Sequence, residues 1–155
     1  MENNTTSINI KLTDEVKIIF CATDYNPGDQ ISVNIYTDGF TKLSGLPELQ
    51  LTVPLGKNHI LNIFNRLMQG FLQGKKPQEN VKLQILPSYP PIILKTISEI
   101  SEQKYLRVIM PDKEGHYPDK STITPYKEQL EPEPYRKNNF KKLSLVILNY
   151  KKEAS

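Results

Sequence analysis

The chain has 155 residues, is 37% hydrophobic and carries a net charge of +3, which suits one domain burying roughly 70% of its unfolded surface and leaves no room for two cores. Lysine dominates the basic residues and arginine occurs only as Arg66, Arg107 and Arg136, so the concentrated arginine footprint of a nucleic-acid reader is missing. Cys21 is the only cysteine, no apolar run approaches the roughly 20 residues of a membrane span, and the polar N-terminus lacks a basic-then-apolar signal; the expectation is a cytoplasmic protein without disulfides that binds neither nucleic acid nor membrane, export without a cleaved signal staying open.

In chain order, residues 1–14 read as a flexible N-terminus. Residues 16–22 are apolar enough for a strand, with Cys21 as a small buried hydrophobe. The turn signal Asp24-Tyr25-Asn26-Pro27-Gly28-Asp29 follows. Ile31, Val33 and Ile35 then alternate with Ser32, Asn34 and Tyr36, which predicts a hairpin partner strand. Residues 37–47 read as a loop and 49–53 as a strand stopped by Pro54.

The clearest helix runs over residues 57–73. Ile60, Ile63, Phe64, Leu67, Met68 and Phe71 recur at three- and four-residue steps, and Gly74 is placed to end it. Gly70 inside the last turns costs about 1 kcal/mol relative to alanine, so the end is expected to fray or pack closely.

Residues 81–85 and 92–97 give two further strands, separated by Pro87, Pro90 and Pro91. A connection or short helical turn covers 98–104. The nearly all-apolar stretch 105–110 predicts a central strand. Residues 119–140 form a polar, proline-containing excursion expected at the surface with little regular structure, and 143–150 is a C-terminal strand. The predicted class is a single α+β domain: one mainly antiparallel sheet with one long amphipathic helix on one face.

Two segments carry a family resemblance. Tyr36-Thr37-Asp38-Gly39-Phe40-Thr41 with Gly45-Leu46-Pro47-Glu48-Leu49, and Leu106-Arg107-Val108-Ile109-Met110-Pro111-Asp112 with Gly115-His116-Tyr117-Pro118, resemble in order and spacing the two signatures of a bacterial domain-of-unknown-function family, number 4262. The match spans about residues 31–120. Asp38 stands where that family has a small apolar residue, Met110 replaces an aromatic, and Asp119 occupies the place of a usual tryptophan. The resemblance implies a fold and a locus, with no activity to carry over, and an aromatic pocket altered in this chain.

The densest polar chemistry lies at residues 111–119, where three carboxylates, His116 and Tyr117 follow the central strand. As a turn, Pro111 and Pro118 restrict the backbone, Gly115 supplies a left-handed position and Asp112 caps. As chemistry, His116 would be a general base oriented by Asp112, Asp119 or Asp38 in a small hydrolase or transferase. A metal centre needs three or four converging ligands, the calcium-loop spacing is absent, and His59 reads as a solvated residue of the first helical turn. No cofactor and no metal are therefore expected.

The leading reading is a non-enzymatic protein-binding module or accessory factor, its Lys, Asn and Ile bias suiting an AT-rich bacterial or phage genome. Its surface would be built from loops 36–40 and 111–119, with Tyr36, Asp38, Asp112, His116, Tyr117 and Asp119 as candidate binding residues and another protein as partner. The acid- and proline-rich residues 128–137 read as a connector rather than a docking peptide. The final strand is a second candidate interface if it lies at a sheet edge.

Overall fold

The alternation around residue 35 places two strands side by side: β1 (Thr13–Thr23) runs antiparallel to β2 (Val33–Asp38), with Phe20 opposite Ile35. The computed structural model describes residues 13–23, 33–134 and 140–151. The turn signal at 24–29, Ile31 and most of the expected flexible N-terminus lie outside them; Thr13 and Asp14 already belong to β1.

Residues 37–47 are not a plain loop. β2 continues to Asp38, and a short helix, α1 (Phe40–Ser44), follows before β3 (Glu48–Leu51). The long helix α2 (Lys57–Leu72) starts where predicted, ends one residue before the predicted limit and buries Ile60, Ile63, Phe64, Leu67 and Met68, a stripe that contributes on the order of 10 kcal/mol of gross apolar burial. Gly74 has the left-handed φ of +99° expected after a helix end. The strand expected over 81–85 shrinks to β4 (Lys82–Leu83). β5 (Ile92–Ser98) and β6 (Lys104–Ile109) form an antiparallel hairpin, closed by a turn in which Glu99 N–H donates to Gln103 O (2.8 Å). β7 (Phe140–Lys151) pairs antiparallel with β1.

These strands make one seven-stranded sheet in the order β4-β5-β6-β3-β2-β1-β7. It is mainly antiparallel, as expected, but mixed, because β3 and β6 pair in parallel, with Gln50 opposite Arg107. A parallel pair needs a crossover, and α2 with the β4–β5 region supplies it. β6 is internal, as predicted, and residues 105–110 are all buried. Among the described residues there are two α-helices where one long helix was expected.

Strand alternation sends side chains to two faces. Val16, Ile18, Ile35, Leu49, Leu51, Leu94, Leu106 and Val108 join the apolar residues of α2 in the main core. Tyr36, Gln50 and Arg107, paired across neighbouring strands, share the second face. The excursion after Asp119 lies over part of that second face: Gln129 is fully buried, so the expected surface excursion is partly core. Among its described residues a 3-10 turn (Tyr126–Glu128) forms.

Candidate functional site

Each of the two segments that carry the resemblance is folded around a carboxylate of its own, Glu48 in the first and Asp112 in the second. At the end of β2, Gly39 takes a φ of +106° and its N–H donates to Glu48 Oε2 (3.2 Å). Phe40 N–H donates to Oε1 (3.0 Å) and Thr41 N–H to Oε2 (3.1 Å). The Thr37 hydroxyl donates to Oε1 (2.7 Å) and itself accepts from Leu49 N–H (2.8 Å). Glu48 therefore satisfies the orphan N–H groups of α1 from across the sheet, where a side chain at the cap normally does so. A side chain at Gly39 would be strained and would force the backbone to shift, since a Cβ there would lie 2.8 Å from Glu15 O.

At the end of β6 the same chemistry is local. Asp112 Oδ1 accepts from Glu114 N–H (2.8 Å) and His116 N–H (3.0 Å), and Oδ2 accepts from the Ser121 hydroxyl (2.6 Å). Asp112 N–H donates to His116 O (2.8 Å), closing the turn. The Ser121 hydrogen bond is the main reason the Asp112 carboxyl is held below its ordinary range; the two backbone donors add to it and burial opposes it.

The six predicted site residues are not all brought together: Asp112 and His116 share one turn, apart from Tyr36 and Asp38. Tyr36 is level with Gln50, and Gln50 with Arg107. Asp38 therefore lies toward the start of β6, while Asp112 follows its end, so the two are roughly 20 Å apart along the strand direction. The surface expected from both loops does not exist as one patch. Tyr36 is half-buried, its ring 6.0 Å from that of Tyr105; burial first, then Cys21, pushes its phenol up. Tyr117 is half-buried, donates its hydroxyl to Pro91 O (2.8 Å) and lies under Lys82 Nζ at 4.7 Å. His116 and Asp119 are exposed.

Asp112, Glu114 and His116 each present a ligand atom within 4.8 Å of the others. Such a trio has the donor types of a weak divalent-cation site, with two of its members at the surface. His59 is exposed in the first turn of α2, as expected, its ring 4.7 Å from that of Tyr89.

The most buried charge is one that the sequence reading passed over. Arg107 is fully buried on the second face. Its Nε donates to Gln50 Oε1 (2.8 Å), Nη1 to Gln129 O (2.7 Å) and to Glu131 O, and Nη2 to Pro132 O (2.8 Å). The guanidinium is thus the peg to which residues 129–132 are tied. Burial brings it down to about 10, with Glu99, Tyr105 and Glu133 acting the other way, so it stays charged at neutral pH. The Glu99 carboxyl is pushed up by burial and pulled back by its bond from Gln50.

Gln129 completes the strap. Its amide accepts from Met110 N–H (2.8 Å) and donates to Met110 O (2.7 Å), copying with one side chain the two bonds of a neighbouring strand. No local pattern announces either role; the one available signal was a single arginine inside an otherwise apolar strand.

Comparisons with protein-family models, with curated proteins and with solved structures found no match. Among the described residues, no helix is long and apolar enough to cross a membrane.

Proposed function

We propose that the protein is a non-catalytic protein-binding module that adds an extended segment of another protein to the outer edge of β7. One observation carries this reading. β7 is a 12-residue edge strand with no neighbour on its outer side among the described residues, whereas the opposite edge, β4, is two residues long. A long open edge offers a row of backbone donors and acceptors to a partner strand.

The chemistry of the partner follows from the same strand. Residues 140–151 contain Lys141, Lys142 and Lys151 and no carboxylate. Leu145 and Ile147 are 39% and 46% exposed beside the edge. Lysines discourage indiscriminate edge pairing and favour an apolar segment flanked by acids. The two signatures resembling domain family 4262 act in this reading as clasps that hold the sheet ends, not as the binding surface. A hydrolase centred on His116 draws no support from a site in which Asp38 is remote and Asp112 is occupied by its own turn.

The test uses two synthetic peptides with one alternating Val/Thr core, one flanked by glutamates and the other by lysines. The acid-flanked peptide should bind and slow hydrogen exchange in β7. Equal binding of both, or binding of neither, overturns the reading.

A further inference from the structure

At the other end of the sheet, an open groove of about 620 Å³ runs between the C-terminal half of α2 and the β4 region. That volume is within the range of small-molecule sites. Leu67, Phe71 and Leu94 contribute to an apolar floor, of which Leu67 and Leu94 are buried. Arg66, Lys75 and Lys76 stand at the rim, all exposed. None of the 13 lining residues is a carboxylate, although the chain holds 17 acids against 20 bases. All three charged residues that line the groove are therefore basic.

Gly70 lies in the groove wall inside α2. Its backbone is ordinary helix, and a Cβ would approach only Lys75 Cδ, at 3.4 Å. Nothing in the backbone demands glycine there, yet glycine costs the helix about 1 kcal/mol relative to alanine. What its missing side chain leaves is open space beside the apolar floor, along which the Lys75 stem lies. The neighbouring carbonyls are already satisfied: Gly70 O accepts from Gln73 N–H and Lys75 N–H, and Phe71 O from Gly74 N–H. A ligand here would thus meet cationic side chains and not the bare carbonyls of a helix end.

We propose that this groove binds a small amphipathic carboxylate, with an acyl or aryl body on the Leu67–Phe71–Leu94 floor and the carboxylate among Arg66, Lys75 and Lys76. An apolar body removes the floor from water, and the charge-assisted hydrogen bonds fix its orientation. The site is remote from β7 and independent of strand addition there.

Decanoate, kept below its micelle concentration, is titrated into the full chain by calorimetry and by amide chemical-shift mapping. Decanol serves as the neutral probe and decyltrimethylammonium as the cationic one. Decanoate should saturate one site, shift amides of the second half of α2, and bind at least about tenfold more tightly than either control. Lys75→Glu with Lys76→Glu should weaken decanoate by about tenfold or more, since both positions are exposed and the fold does not depend on them. Gly70→Leu should weaken all three probes by filling the groove. Lack of saturation, equal binding of the cationic probe, or decanoate binding unmoved by the charge reversals overturns the proposal.

Discussion

Glu48 and Asp112 do the same job at opposite ends of one sheet, and the difference lies in how far each reaches. Asp112 gathers donors two, four and nine residues ahead, within a turn that would close in a short peptide. Glu48 gathers donors seven to eleven residues behind, and only after β2 and β3 have paired. The first is local chemistry that tertiary structure inherits; the second is tertiary structure acting as a cap. A helix as short as α1 is marginal by itself, so it exists because Glu48 holds its first turn.

The sharpest way to break the comparison is through the glycine in each loop. Gly39 and Gly115 both have positive φ, +106° and +84°, but only Gly39 is crowded, by Glu15 O. Gly39→Ala should destabilise by about 3 kcal/mol in urea unfolding, combining backbone strain with that overlap, whereas Gly115→Ala should cost about 1 kcal/mol. Equal losses would mean that the two loops are held alike. Next in size, Glu48→Ala strands three N–H groups and a hydroxyl and should cost about 2 kcal/mol, with amide exchange accelerated first in α1.

The smallest effect is expected from Asp112→Asn, read as a change in pH dependence. The folded carboxyl sits below its unfolded value, so its contribution is present above about pH 4 and is lost as pH falls through the folded value. The variant should therefore show a flatter acid limb in stability against pH. An acid limb identical to wild type would remove Asp112 from the list of clasps.

The same contrast explains what could be read in the sequence. β2 follows from local alternation, β1 and β6 from their apolar runs, and α2 from its three- and four-residue spacing, ending within a residue of its predicted limit. The 111–119 turn was legible for the same reason, since Pro111, Asp112, Gly115 and Pro118 encode it within nine positions. α1 was not, because its cap stands beyond Gly45, Leu46 and Pro47 on the next strand. Gln129 was not either: a glutamine among prolines becomes core only where Met110 offers a backbone to mimic. The parallel pairing of β3 with β6 has no local signature at all, and it is what carries Asp38 and Asp112 to opposite ends.

That pairing also divides the route by which the chain reaches its native state. β1 with β2 and β5 with β6 are antiparallel neighbours in sequence, and each pair closes a modest loop. Joining Gln50 to Arg107 instead requires a closure across 57 residues, with α2 already laid across the sheet. Loop-closure entropy and high contact order make such a step slow. The two hairpins are accordingly expected to form early and the β3–β6 seam last, so that substitutions within the β1–β2 and β5–β6 hairpins slow folding itself while those whose contacts form only as the seam closes mainly speed unfolding.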